Sequence, residues 1–293
     1  MLTRGEEKPK FDNLIILFFI LLFAADALVW QQVAFGKNST HPAIHFMDVG
    51  QGDSELAIFP GNVKVLTDAG PDSKITGELE KIPALADKYI DIAVITHPQL
   101  DHFGGFEYLL DRYRIGAFVY NGRSDSPGVE EWTNLIKKIS GKNIPLIKLG
   151  SGDAIKYTGS RIDFLSPNAS LAQSQELNDT GLIEMMNFGE IKALLVADID
   201  SATENYLANR FDLQADILKV AHHGSKYSAS QAFLNSVKPK IAVIEVGARN
   251  NYGHPALETL KMLSSLASVF RTDKNGQITI TEADKKLKVF TSK

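Results

Sequence analysis

The stretch AVITHPQLDHFGGFEYLL, Ala93–Leu110, holds the clearest functional signal in the chain. An apolar run typical of a buried strand ends at Thr96, and His97, Asp101 and His102 follow it. After two glycines a helical pattern begins. Zinc and manganese both accept imidazole nitrogen and carboxylate oxygen as ligands. The stretch therefore predicts half of a metal site at the end of a strand.

Other apolar runs also end in acidic residues or histidines. Strand ends are where sites are built in α/β sheets, because the buried strand fixes a side chain while the loop keeps it accessible. One such residue by itself usually serves a turn, but several in agreement predict a shared site. The strand-end residues are Asp48, Asp53, Asp68, His97, Asp101, His102, Asp198, His222 and His223.

Two later stretches are expected to supply the remaining metal donors. In LLVAD, Asp198 offers a carboxylate that can bind one metal or bridge two. In VAHHGS, one of His222 and His223 is expected to bind metal, while the other faces the substrate or supports the ligand.

The spacing of the apolar runs indicates the fold class. From Ala43 onward, short β runs alternate with helical patterns, and no internal repeat is visible. A β-rich first half followed by strand–helix units predicts an α/β fold in which two sheets pack face to face with helices outside. We expect one domain over residues 43–293.

Composition narrows the classes of function. The 293 residues are 44% hydrophobic, enough for a full core. The lack of cysteine excludes thiolate zinc sites and disulfides. A formal net charge of −4 gives no sign of the basic surface that marks tight non-specific nucleic-acid binders, although it leaves a nuclease possible.

Residues 1–35 predict a membrane anchor. Basic residues precede the run LIILFFILLFAADALVWQQVAF, which is interrupted at Asp26. Taken to its end, the run reaches about 20 residues, enough to cross a bilayer, and the basic residues place the tip in the cytoplasm. Residues 36–42 are expected to be a linker to an extracytoplasmic domain. The alternative is secretion, because ADA within the run has the small-x-small form that signal peptidase cuts.

The order of the motifs resembles the metallo-β-lactamase fold, a four-layer αββα sandwich. HFMDVGQGDSELAI, LTDAGP, THPQLDHFGG, LVAD and LKVAHHGSKYS occur in the order of that fold, and NNYGHP follows them. The combination of DVGQGD, HHGS and YGHP is most similar to the extracellular hydrolase domain of ComEC-type competence proteins, which take part in DNA uptake. The resemblance covers about Ala43 to Phe290.

The resemblance implies a role for each matching residue. His254, in YGHP, is expected at the mouth of the site, touching a substrate phosphate or the leaving group. His223 is expected to face the substrate, and Asp101 to act in catalysis as well as in metal binding. The implied metal ligands are His97, Asp101, His102, Asp198 and His222, with His223 as the alternative to His222. The implied supporting residues are Asp48, Asp53, Asp68, Gln99, Asn178, Asp179 and Ser225.

Two positions depart from the general fold. Gln99 stands where the HxHxDH motif has its second histidine. The stretch LNDTG, with Asn178 and Asp179, stands where a mid-chain histidine is usual. The resemblance thus implies one complete metal site and a second that retains for certain only His97 and the shared Asp198. We expect one or two ions of Zn²⁺ or Mn²⁺.

These features together predict a metal-dependent phosphodiesterase that acts on extracytoplasmic DNA. The metal would activate a water molecule and polarise the phosphoryl group. A separate DNA-uptake channel protein is a possible partner. One alternative is an exported phosphoesterase or lactonase for a small or cell-wall substrate. Another is a binding module whose degenerate site no longer turns over substrate.

Overall fold

The computed structural model describes residues 11–35, 42–123, 130–283 and 286–293. The chain divides into two compact units, Met1–Ser39 and Thr40–Lys293. The predicted cytoplasmic tip before residue 11 lies outside the described residues, and so does the predicted linker apart from Pro42.

The described part of the first unit is a helix, α1 (Phe11–Phe35). Its sequence is rich in leucine and alanine and contains neither glycine nor proline, which favours an uninterrupted helix. The large apolar side chains from Ile15 to Phe23 are each more than half exposed. Among the described residues, no helix is both long and apolar enough to cross a membrane. The membrane anchor expected from residues 1–35 stays a prediction.

The second unit is built on two sheets. The strands, in chain order, are β1 (Ala43–Phe46), β2 (Glu55–Phe59), β3 (Val63–Thr67), β4 (Tyr89–Ile95), β5 (Arg114–Tyr120), β6 (Leu146–Lys148), β7 (Ala154–Tyr157), β8 (Ser160–Ser166), β9 (Ile183–Phe188), β10 (Ile191–Leu195), β11 (Ile217–Lys219), β12 (Ile241–Ile244), β13 (Ser268–Arg271), β14 (Ile278–Ala283) and β15 (Lys286–Thr291). The first sheet has the order β15-β14-β1-β2-β3-β4-β5-β6, and the second has the order β13-β12-β11-β10-β9-β8-β7. Strands β3 to β6 run parallel in the first sheet, and β10 to β13 run parallel in the second.

Helices pack on the outer face of each sheet. The further helices are α2 (Lys74–Glu80), α3 (Leu100–Phe103), α4 (Phe106–Leu109), α5 (Glu130–Gly141), α6 (Ser201–Ala208), α7 (Gln231–Val237), α8 (Leu257–Ser264) and α9 (Thr272–Asn275). Short 3₁₀ helices lie at Pro83–Leu85, Leu171–Gln173, Leu177–Thr180 and Ala221–Gly224. Helices α2 to α5 share an apolar core with the first sheet, and α6 to α8 share one with the second.

A third apolar core fills the space between the sheets. Alternation along β2 shows how: Ala57 and Phe59 point into this core, while Leu56 and Ile58 join the core under the helices. The ring of Phe59 stacks on Phe188 of the other sheet, with centroids 4.6 Å apart. Helices, sheet, sheet and helices thus form four layers. The predicted αββα sandwich is confirmed.

At one end the space between the sheets becomes polar. Glu55, Glu184, Lys219 and Glu245 are all buried there, each in or next to a mainly apolar strand. Hydrogen bonds in this layer cross between the sheets. Thr67 Oγ1 donates to Glu184 Oε1 at 3.0 Å, and the Ser54 amide donates to Glu245 Oε1 at 3.1 Å.

A buried ion pair completes the polar layer. The ammonium of Lys219, at the end of β11, pairs with the carboxylate of Asp53, in the loop before β2. Both side chains are almost fully buried. Because a buried charge without a partner is strongly unfavourable, this pair ties the end of one sheet to the other.

Removing the Lys219 charge should therefore destabilise the protein. We expect Lys219→Met to lower the free energy of unfolding by roughly 3–5 kcal/mol, because Asp53 would stay buried without its counter-ion. Urea unfolding of the metal-free protein measures this. Lys64→Met is the matched control, because Lys64 is equally buried but its partner Asp87 is half exposed. Loss of the Lys64–Asp87 ion pair in this variant should lower the free energy of unfolding by about 1 kcal/mol or less. Equal losses in the two variants would contradict the role given to Lys219.

The polar layer should also make stability depend on pH. Burial, and then the nearby charge of Asp53, raises the pKa of Glu55 from 4.5 to about 8. When the pKa of an acid is higher in the folded protein than in the unfolded chain, the protein loses stability as pH rises from the lower pKa to the higher one. Between pH 4.5 and 8 the metal-free protein should lose stability on the order of a few kcal/mol through this group. Glu55→Gln should remove that part of the slope, which urea unfolding at several pH values measures.

Candidate metal centre

Four side chains from both sheets converge where parallel strands end. Asp101 and His102 belong to α3, just after β4, and Asp198 follows β10. His223 lies in the 3₁₀ turn after β11. One ligand atom from each of these residues lies within 4.8 Å of the others. This is the edge of an α/β sheet at which binding sites are normally found.

The distances leave room for a cation between the donors. Asp198 Oδ2 lies 3.5 Å from His102 Nε2 and 3.5 Å from His223 Nε2. Asp101 Oδ2 lies 3.5 Å from His223 Nε2. Both Nε2 atoms are buried and have no hydrogen-bond partner among the described residues. Two imidazole nitrogens and two carboxylates form a donor set that suits Zn²⁺ or Mn²⁺, so the residues present fit a divalent metal.

Each ligand histidine is oriented through its other ring nitrogen. His102 Nδ1 lies 2.7 Å from Asp68 Oδ2, and Asp68 also accepts from the Thr96 amide at 2.9 Å. His223 Nδ1 bonds to the backbone oxygen of Glu245 at 3.0 Å. Such contacts fix the ring and leave Nε2 free for a metal. Asp68 thus lies where a supporting residue was expected.

The charges of the cluster favour a bound cation. Burial alone would lower the pKa of His223, but the carboxylates of Asp198 and Asp53 raise it to about 10. Burial opposes ionisation of Asp198, yet the rings of His223 and His102 hold its pKa well below the usual range. Positive charge at this place can come from protons on the histidines or from a metal that replaces them. Metal binding should therefore release protons.

The Asp53–Lys219 pair lies directly behind the cluster. Asp53 Oδ1 is 3.3 Å from His223 Nδ1, and its Oδ2 is 3.7 Å from His102 Nδ1. Lys219 Nζ donates to the backbone oxygen of Ala197 at 2.9 Å and lies 3.7 Å from Asp198 Oδ1. Lys219 therefore holds the segment that carries Asp198. Sequence reasoning missed this lysine, although a charged residue inside the apolar run DILKVA was a signal for it.

The structure places His223, and not His222, with the other donors. Both residues have positive φ, near 51° and 52°, so the backbone turns sharply and the two rings point in different directions. The His222 ring lies 5.6 Å from that of His254, and it is outside the group of four. Of the two histidines that the sequence left open as the metal ligand, the structure thus groups His223 with the other candidate donors. Two adjacent histidines on a turn cannot be told apart by spacing alone.

His97 is buried beside the centre but is not one of the four converging residues. Its ring centroid lies 4.1 Å from that of His102. Its Nδ1 lies 2.9 Å from Thr96 Oγ1, and its Nε2 lies 3.2 Å from Gln99 Oε1. Burial, and then the charge of His102, lowers the pKa of His97 to about 3, so its ring is neutral. Gln99 occupies the nitrogen that a second metal would need.

The other predicted supporting residues lie in different places. Asp48 forms surface ion pairs with Lys74 at 2.9 Å and Lys293 at 2.7 Å, so its carboxylate does not serve the centre. Asp179 accepts from Ser174 Oγ at 2.9 Å within its own loop. Asn178 Oδ1 is buried without a hydrogen-bond partner among the described residues. Ser225 Oγ accepts from the Tyr227 amide at 3.3 Å, which is a turn contact.

His254 lies at the outer side of the centre. Its ring centroid is 6.4 Å from that of His223, and the side chain is half-buried. Burial, and then the charges of His222 and His223, lowers its pKa. Its Nδ1 has no hydrogen-bond partner among the described residues. The exposed part of this ring can contact a substrate that reaches the centre.

The glycines after His102 are explained by close backbone contacts. A Cβ on Gly105 would overlap the carbonyl oxygen of Ala69, and a Cβ on Gly104 would overlap that of Pro71. The His102 carbonyl also accepts from the Ala69 amide at 2.7 Å. These contacts press the metal-binding turn against the loop that carries Asp68.

Comparison with known proteins places the domain in a family. Residues 49–167 match the Metallo-beta-lactamase superfamily. ComE operon protein 3 of Bacillus subtilis is 30% identical over 260 residues, which cover 82% of this chain and 33% of that protein. Competence protein ComA of Neisseria gonorrhoeae is 25% identical over 269 residues, covering 88% of this chain and 34% of that protein. The chain spans about a third of the length of these relatives.

Solved structures of low sequence identity share the fold. CmlA, a diiron β-hydroxylase from Streptomyces venezuelae, superposes with a TM-score of 0.55 at 12% identity, over 83% of this chain and 54% of that one. YhfI of Bacillus subtilis, a metallo-β-lactamase fold protein, gives 0.53 at 11% identity, over 79% and 96%. These structures show the shared fold, while the match over residues 49–167 shows that the chain carries a metallo-β-lactamase superfamily domain, which is similar in sequence to the competence proteins named above.

Proposed function

We propose that this metallo-β-lactamase superfamily domain is a metal-dependent phosphodiesterase that cleaves DNA. The observation that carries the proposal is the convergence of Asp101, His102, Asp198 and His223 with two buried, unbonded Nε2 atoms. The names of the relatives, two of them ComE operon protein 3 and Competence protein ComA, support DNA as the substrate. A divalent cation held by the four residues would lower the pKa of water and polarise a phosphoryl oxygen.

Residues in and around the centre have separate roles in the proposed reaction. Asp101 is the most exposed of the four ligands, with 35% of its side chain accessible, so it can orient the attacking water from the solvent side. His254 is a neutral ring and can donate one N–H to a phosphate oxygen or to the leaving group. Lys219 and Asp53 keep the ligands in place from behind without touching the substrate.

Several parts of the function stay predictions. These are the choice between Zn²⁺ and Mn²⁺, an extracytoplasmic location and a separate channel protein as partner. We expect one ion per chain, because His97 is bonded to Gln99 and lies outside the group of four.

The adjacent histidines provide a matched test of the metal ligands. We expect His223→Ala to weaken metal binding more than the roughly 10- to 100-fold typical of an outer-shell change. His222→Ala should leave metal affinity nearly unchanged, because its ring lies toward His254. Calorimetric titration of the stripped protein with Mn²⁺ and with Zn²⁺, together with elemental analysis, measures affinity and stoichiometry. Loss of metal in His222→Ala but not in His223→Ala would reverse the assignment.

Activity separates the proposed function from its alternatives. The metal-loaded protein should hydrolyse DNA oligonucleotides, and Asp198→Asn should reduce the rate by more than about 100-fold because a charged metal ligand is lost. Asp48→Asn is the control, since that carboxylate lies in surface ion pairs, and it should retain activity. Cleavage of only small phosphodiesters or lactones would favour the alternative enzyme. Metal binding without turnover of any of these substrates would favour a binding module.

A further inference from the structure

A column of aromatic rings leads from the buried centre to the protein surface. The His102 and His223 rings are 6.2 Å apart with planes at 30°, and His254 follows at 6.4 Å and 38°. Tyr252 stacks on His254 at 5.7 Å and 27°. His102 is fully buried, whereas Tyr252 is 72% exposed. The row of rings that starts at the metal ligands thus ends at the protein surface, where the outer face of the Tyr252 ring is a flat apolar area.

The loop that carries Tyr252 is held in one shape by Asn250. The Asn250 side-chain amide donates to the backbone oxygens of Gly247 at 2.9 Å and His254 at 2.8 Å. Its Oδ1 accepts from the amides of Tyr252 at 3.2 Å and His254 at 3.0 Å. These four hydrogen bonds fix the backbone that carries the rings of Tyr252 and His254. The exposure of Tyr252 is therefore a built feature of an ordered turn.

The same loop is fastened to the first sheet and to the histidine turn. The Gly247 amide donates to Gln51 Oε1 at 3.1 Å, and Gln51 belongs to the DVGQGD loop. The Ala256 amide donates to the oxygen of Gly224 at 2.9 Å, directly after His223. Tyr252 is thus positioned relative to the metal ligands by contacts on both sides.

We propose that Tyr252 is a stacking subsite for an unpaired nucleobase next to the phosphodiester that is cleaved. This inference rests on the proposed function and adds a feature of its substrate. An exposed aromatic ring binds any base through its flat face. In a duplex both faces of an internal base are covered by its neighbours, so the subsite accepts single-stranded or frayed terminal nucleotides.

The kinetic test uses the metal-loaded full chain and two substrates. One is a single-stranded oligonucleotide, and the other has the same backbone with abasic residues. Tyr252→Ala should lower kcat/KM on the natural strand by roughly tenfold and leave the abasic strand nearly unchanged, while Tyr252→Phe should restore activity. Tyr157→Ala, at another exposed tyrosine (42%) on β7, should have no effect. Equal losses on both strands, or no loss on either, would overturn the subsite.

A binding test without hydrolysis separates the subsite from the proposed activity. An oligonucleotide that contains 2-aminopurine should lose fluorescence when its base stacks on the wild-type protein without metal, and Tyr252→Ala should abolish that change. If quenching depends on Tyr252 but the metal-loaded protein cleaves no substrate, the subsite is supported and the proposed hydrolysis is contradicted. If DNA is cleaved and substitution of Tyr252 changes neither cleavage nor quenching, the proposed hydrolysis is supported and the subsite is contradicted. No quenching by the wild-type protein would also overturn the subsite.

Discussion

The buried ion pair between Lys219 and Asp53 is the contact on which the centre depends. It joins the end of β11 in one sheet to the loop before β2 in the other, at the level where the apolar core between the sheets gives way to polar residues. Lys219 also holds the backbone of Ala197, and Asp53 faces both ligand histidines. A shift of either sheet would separate charges that are buried, and the cost of that separation keeps the four metal donors together.

The centre concentrates negative charge in a place with little water. Asp198 is buried between two histidines, and Lys219 alone does not balance the carboxylates around it. The pKa values of His102 and His223 are raised because protons on these two rings are one way to supply the missing positive charge. A divalent cation supplies it more compactly. Metal binding, proton release and the stability of the sandwich are therefore linked through the same residues.

Much of the site could be predicted from sequence because metal donors at strand ends are a local pattern. Asp101, His102 and Asp198 follow apolar runs, and the structure brings these three together. The pattern left open the questions that depend on the direction of a side chain. His222 and His223 are equivalent in spacing, and only the left-handed turn through both residues separates their rings. Asp48 follows a strand like the others, yet its loop carries it to the surface, where it pairs with Lys74 and Lys293.

The sequence by itself determined the αββα sandwich, the strand ends that carry the ligands and the chemistry of the donor set. The period of apolar residues predicts two facing sheets with helices outside, residue type predicts the donors, and the four-layer αββα sandwich is what the resemblance of the motif order implies. Only the tertiary structure decided which histidine joins the centre, that Gln99 bonds to Nε2 of His97, and that Lys219 lies behind Asp198. It alone also aligned the rings from His102 to Tyr252. These features depend on how strands far apart in sequence meet and on where each side chain points. The local spacing of residues along the chain determines neither.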